Sequence, residues 1–248
     1  MSDSDDFLND SAALFGDAPP DDETIRYGSL ILTVAPKANT LLADHLFSPS
    51  LLLSELIERG LIPLEGRTVV ELGAGCALPS LLSSTLSTPP ALVVITDYPD
   101  PIIIGNLTAN VERNRPHYNE ACSIHAVGYE WGRDVNPLLD ILMQRKPGAS
   151  DAFDVVIMSD LLHFDRSHDV LLQSLLSLLR KASSARAYIA AGKYTPPSFG
   201  MVMEEGEVES VWHGSLEVSG GGLDREQLGV RKDMCRWWIG RWMNLALE

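Results

Sequence analysis

Basic residues are scarce in this chain. Lys and Arg number 19 against 34 Asp and Glu, a formal net charge of −15 over 248 residues. Nucleic-acid backbones are gripped by neutralising phosphates, so this balance argues against a nucleic-acid partner. A basic protein is electrostatically more comfortable, and on charge alone the reading is that the charge keeps the protein soluble. Cysteine is equally sparse: Cys76, Cys122 and Cys235 are odd in number and far apart. That spacing excludes a disulfide framework and a metal-ligand cluster, and a reducing compartment fits it best. No apolar run is long and uninterrupted enough to span a bilayer. The opening MSDSDDFLND lacks the basic start and apolar stretch of a secretion signal. The expectation is a soluble cytoplasmic monomer with no membrane partner and no metal. Asn106-Leu107-Thr108 then reads as a chance glycosylation sequon.

What is present is a chain of ordinary globular composition, 45% hydrophobic and 21% charged, long enough to bury one full core. Residues 1–25 carry eight acidic side chains and no Lys or Arg. Charge of one sign at that density repels itself, so a disordered tail is expected there, followed by one domain over residues 26–248. Helical spacing runs through Leu41–Ile62, with Ser48 placed to cap a helix that Pro49 opens and Gly60 stops.

Strands and helices then alternate. Strands are expected at Thr68–Leu72, Leu92–Thr96, Cys122–Gly128, Phe153–Ser159 and Ala187–Ala191. Helices are expected at Leu78–Thr85, Pro101–Asn114, Val135–Gln144 and Ser167–Lys181. Continuous apolar strands separated by helices make a parallel sheet covered on both faces. Near the C-terminus, Glu209–Val218 and Met234–Met243 read as an antiparallel pair with no helix between them. Only a short helical piece is expected around Met201–Glu205, among prolines and glycines.

The chemistry-bearing stretch is VVELGAGCALPSL, residues 69–81. A buried strand ends at Glu71-Leu72, glycines follow at 73 and 75 around Ala74, and a helix begins. A dinucleotide fingerprint needs a third small residue where Leu78 stands. A phosphate loop needs Gly-Lys-Ser/Thr, and no lysine lies between Arg67 and Lys146. Glu71 at the strand end would oppose a pyrophosphate but tolerates a ligand bearing an ammonium and a sulfonium. Asp97 ends the next strand, where a carboxylate accepts from ribose hydroxyls. Together these features select S-adenosylmethionine.

ELGAGCALPS, TDYPDPIIIGNLTANV, GYEWG and SDLLHFDRSHDVLL resemble, in this order, motifs of the family-16 protein N-methyltransferases, in the fungal nicotinamide N-methyltransferase-like and elongation-factor lysine methyltransferase branch. The resemblance runs from about Leu41 to Trp242. It implies an α/β, three-layer, doubly wound sheet of seven strands, Rossmann-like and mostly parallel with an antiparallel last strand. It further implies an S-adenosyl-L-methionine site at Glu71, Gly73, Ala74, Gly75, Asp97, Tyr98, Trp131 and Ser159. Asp160 matches the acid of the motif after the fourth strand. The fourth place of that motif holds His163 rather than Tyr, Phe or Asn, and Phe164 stands next to it. Asp160 and His163 are the catalytic candidates, Asp160 ahead; as a bare structural element Asp160 would cap the following helix. SDLLHF also differs from the Pro-Pro-aromatic motif of nucleic-acid amino methyltransferases. The implied reaction is methylation of a lysine or N-terminal amine on a basic, translation-related protein. A small amine of nicotinamide type and a non-catalytic cofactor-binding module are the alternatives.

Overall fold

The computed structural model describes residues 24–36, 43, 45–145, 151–162, 164, 167–193, 202–218 and 225–242. The elements in chain order are β1 (Ile25–Tyr27), β2 (Leu30–Leu32), α1 (Ser48–Glu58), β3 (Thr68–Leu72), α2 (Leu78–Ser83), β4 (Leu92–Asp97) and α3 (Pro101–Asn114). They continue with β5 (Ser123–Gly128), α4 (Asn136–Arg145), β6 (Val155–Ser159), α5 (His168–Leu178), β7 (Arg186–Gly192), β8 (Val202–Gly206), β9 (Leu216–Val218), α6 (Arg225–Asp233) and β10 (Cys235–Arg241).

Seven strands form the main sheet in the order β5-β4-β3-β6-β7-β10-β8. The first five pair in parallel, and β10 lies antiparallel to both β7 and β8. Only β10 is therefore reversed, as the sequence led one to expect. Along each central strand, side chains alternate between two buried layers. Val69, Val93, Ile95, Val155 and Ile157 pack with apolar residues of α1, α2 and α3. Val70, Val94, Val156 and Met158 pack with those of α4 and α5. A second, three-stranded sheet, β2-β1-β9, is antiparallel throughout.

The helix after β4 shows how local sequence sets an element boundary. Asp100 accepts from the backbone N–H groups of Ile102 (2.8 Å) and Ile103 (3.3 Å), and Pro101 occupies the first helical position. At α1 the expectation shifts by one residue: Phe47 is the cap and Ser48 already lies in the helix. The Ser48 hydroxyl instead accepts from Arg231 Nε at 3.2 Å. Gly60 ends that helix region with φ +72°.

The C-terminal expectations need correction. Val202–Gly206 is a strand, not a helical piece, and it is β8 rather than residues 209–218 that pairs with β10. A Cβ at Gly206 would lie 2.0 Å from the Trp237 ring, so glycine here admits the indole. Leu216–Val218 joins β1 in the small sheet. A helix, α6, does precede the last strand; its buried side includes Lys232, whose charge hides the apolar period. Trp237 and Trp238, on opposite faces of β10, are both buried, because the sheet is covered on both faces. Of the acidic segment 1–25, all but Thr24 and Ile25 lie outside the described residues, and Ile25 opens β1.

Among the described residues, no helix is long and apolar enough to cross a membrane. The Asn106 carboxamide donates to the Thr33 carbonyl at 2.9 Å and accepts the Thr33 hydroxyl at 2.7 Å, which ties this sequon residue into the fold.

Candidate active site

Strand order reverses between β3 and β6, and in such sheets ligands bind outside the carboxyl ends of the strands at that point. A cavity of about 240 Å³ opens there. Its floor is the loop after β3, in which Gly73, Gly75 and Ala77 have φ of +57°, +56° and +63°. Alternating left-handed residues coil the backbone tightly, and glycine removes the steric cost at two of the three. At Gly73 glycine is also needed for space, since a Cβ would meet Leu161 at 2.6 Å and Trp131 at 3.2 Å.

Asp97 fixes this loop from the neighbouring strand. Its Oδ2 accepts the Gly75 N–H at 2.7 Å and its Oδ1 accepts the Tyr98 N–H at 2.7 Å. Burial pushes the carboxyl above its usual range, while the two N–H donors pull it back. Each oxygen keeps a second lone pair for a ligand hydroxyl.

Gly73, Ala74, Gly75, Asp97, Tyr98, Trp131, Ser159 and Asp160 all line the cavity. Trp131 stands edge-on to Phe164, with ring centroids 5.7 Å apart. Asp160 follows β6 directly, is 4% exposed and holds φ +58°. That backbone region is uncommon for any residue other than glycine. It does not cap α5, whose cap is Ser167, seven residues later. His163 lies outside the described residues.

Glu71 is placed differently from the other cofactor candidates, because it is not among the residues lining the cavity. It shares the face of Val69 on β3, opposite Val70, so it faces α2, where its Oε2 accepts the Ser80 N–H at 3.3 Å. Complete burial pushes its carboxyl up to about 8. Its Oε1 has no hydrogen-bond partner among the described residues.

Sequence reasoning did not anticipate the wall formed by His45, Leu46 and Phe47 just before α1, nor Tyr129 and Glu130. The only available signal was Pro49 at a helix start, which places the residues before it at an element end.

The donor set can be tested against S-adenosylmethionine. Among the described lining residues, Asp97, Glu130 and Asp160 are carboxylates and none is Lys or Arg. Such a wall repels phosphates and suits a ligand carrying positive charge and hydroxyl groups. Ser159 Oγ, buried at the same wall, has no partner among the described residues and is a further polar group for a ligand to satisfy. The residues fit the group. Among the described residues, no cluster of three His, Cys, Asp or Glu could hold a metal ion.

Comparison with known proteins agrees with this geometry. A protein N-terminal and lysine N-methyltransferase, EFM7, of Gibberella zeae is 32% identical over 177 residues, covering 70% of this chain and 66% of the relative. Its counterpart in Neurospora crassa is 33% identical over 184 residues, covering 72% and 64%. The chain thus spans less than two thirds of the length of these curated relatives. Among solved structures, a candidate SAM-dependent methyltransferase of Streptococcus mutans superposes with a TM-score of 0.50 at 12% identity, covering 91% of this chain and 57% of that one; this likeness concerns the fold. The family model described as lysine methyltransferase matches residues 29–195, which takes in the glycine loop, Asp97, Trp131 and Asp160. On that match, the chain belongs to the lysine methyltransferase family.

Proposed function

We propose that this protein is an S-adenosylmethionine-dependent N-methyltransferase whose acceptor is a lysine side chain or N-terminal amine of a protein. The carrying observation is the cavity wall: three carboxylates and, among its described residues, no Lys or Arg, at the reversal of the sheet. The names of the fungal relatives support the acceptor class.

S-adenosylmethionine, when bound, supplies a methyl group on a sulfonium. The chain's own residues do the positioning on which such a displacement depends. Asp97 would accept the ribose hydroxyls, with Trp131 and Phe164 as the aromatic wall. Asp160 would orient the acceptor amine and offset the charge that develops on it. A lysine amine ordinarily titrates near about 10.4 and must be neutral to react. Apolar neighbours such as Phe47 and Leu161 on the same wall would favour the neutral form by desolvation. A tryptophan or phenylalanine face also attracts a cation.

The acidic balance of the chain supports a basic protein partner and argues against nucleic acid. On the same reading the protein acts as a cytoplasmic monomer without a membrane partner, with the acidic segment before β1 as a tail on a single catalytic domain. The test is incubation of the full chain with radiolabelled S-adenosylmethionine and cell extract. Label in the protein fraction, lost with Asp160→Asn, is expected. Label in the small-molecule fraction would replace the protein acceptor by a small amine. No label despite cofactor binding would leave a non-catalytic module.

A further inference from the structure

Helix α3 carries Asn106, Asn110 and Asn114 at intervals of four, so all three lie on one face. That face meets the outer edge of β2, and the carboxamides pair with it as a strand would. Ile31 donates its N–H to Asn114 Oδ1 at 2.8 Å and accepts from Asn114 Nδ2 at 2.8 Å. Thr33 donates its N–H to Asn110 Oδ1 at 2.9 Å and accepts from Asn110 Nδ2 at 2.8 Å. Asn106 Nδ2 adds a second donor to the Thr33 carbonyl. Asn110 and Asn114 are fully or almost fully buried. An exposed strand edge is thereby closed by side chains instead of by another strand.

Asn110 does one thing that Asn114 does not. Its Nδ2 also donates to the Cys76 carbonyl at 3.3 Å, in the loop that floors the cavity. That bond is longer than the pair to Thr33, so it guides the loop and does not clamp it. Arg113 Nη1 donates to Asn110 Oδ1 at 2.6 Å and so holds the carboxamide with its NH₂ group toward Thr33 and Cys76. From β4 the loop is held at its start, where the Thr96 carbonyl accepts the Ala74 N–H at 3.0 Å and Asp97 accepts the Gly75 N–H, so Asn110 on α3 is the contact at the loop's far end. We infer that Asn110 is a positioning residue for the cofactor site: through Cys76 it sets the coiled conformation of residues 73–77, while Asn114 only holds the hairpin. This inference rests on the cofactor reading given above.

The test compares Asn110→Ala with Asn114→Ala in the full chain, since each removes a reciprocal pair of bonds to β2. Hydrogen exchange of the cofactor-free protein at Gly75 and Ala77, thermal midpoint, and calorimetric affinity for S-adenosylhomocysteine are measured. Both variants are expected to lower the midpoint by a similar amount. Only Asn110→Ala is expected to speed loop exchange by tenfold or more and weaken S-adenosylhomocysteine by tenfold or more; Asn114→Ala stays within twofold of the parent on both. Should Asn110→Ala not fold, Asn110→Asp serves instead. It keeps the acceptor for Thr33 N–H and removes the donor to Cys76, and the same loop-specific changes are expected. Equal effects of the 110 and 114 variants on loop exchange and affinity, or no change in loop exchange, would overturn the inference. A parent chain that binds no S-adenosylhomocysteine, with Asn110 still controlling loop exchange, would instead overturn the cofactor reading alone.

Discussion

Asp97 Oδ2 accepts the Gly75 N–H across 2.7 Å, joining the end of one central strand to the loop that follows its neighbour. The bond makes the acid and the glycine a single unit, and under the proposed function the same carboxylate is both a ligand group and a fastener.

Disturbing either partner should therefore damage binding without unfolding the chain. Asp97→Ala releases two N–H groups and removes the proposed ribose acceptor. Gly75→Arg places a long side chain where a Cβ meets nothing within 4 Å, and adds left-handed strain of about 1–2 kcal/mol. Each is expected to weaken S-adenosylhomocysteine by at least tenfold, about 1.4 kcal/mol, in a calorimetric titration. Circular dichroism should show the fold retained. Undiminished affinity in both would remove the site assignment.

Asp160 should separate binding from turnover. Asn tolerates the left-handed backbone as Asp does, so Asp160→Asn preserves the bend at φ +58°. Cofactor affinity is expected to hold within threefold while kcat falls by a hundredfold or more, on the scale of a lost charge interaction made in the transition state. Full turnover would reduce Asp160 to a structural residue.

Glu71 gives a pH signature. Burial raises its carboxyl from about 4.5 to about 8 in the folded chain, so between those values the folded state holds a proton that the unfolded state has lost. Its contribution is complete below pH 4.5 and disappears as pH rises through 8, with a slope of at most about 1.4 kcal/mol per pH unit. Glu71→Gln has no titrating group there and should flatten that part of the urea-midpoint profile. A parallel profile in the variant would refute it.

Lys232 and Glu55 form a buried ion pair, Nζ to Oε1 at 2.9 Å, and Lys232 also donates to the Val211 carbonyl at 2.6 Å. Lys232→Ala leaves a buried carboxylate with the His213 N–H at 3.1 Å and Arg59 Nη1 at 3.6 Å as its remaining partners. A loss of about 3 kcal/mol in chemical denaturation, the low end for a broken buried pair, is expected. Replacing both, Glu55→Gln with Lys232→Met, should recover much of it. An additive double variant would show that the two side chains do not act as a pair.

The centre of the parallel sheet was legible because strands such as β4 and β6 are buried on both faces and read as apolar runs. Thr68–Leu72 and Pro101–Asn114 end in the structure where the pattern ends in the sequence. The C-terminal third was less legible. Its helix keeps a charged residue on its buried side, and β8 depends on distant β10 for its partner, so neither announces itself locally. The site divided in the same way. Asp97, Trp131 and Asp160 stand at strand ends, where spacing exposes them. The buried orientation of Glu71 and the His45–Phe47 wall follow from three-dimensional packing, to which local sequence is blind.

The reversed strand has a consequence for biosynthesis. Among the described residues, β8 reaches the sheet only through β10, which the ribosome supplies some thirty residues later. During translation the nascent chain can close its parallel half early, while residues 202–206 wait without a docking edge. Maturation of this protein is thus gated by its final strand, and a stop codon placed before Cys235 would strand β8 as well as delete β10.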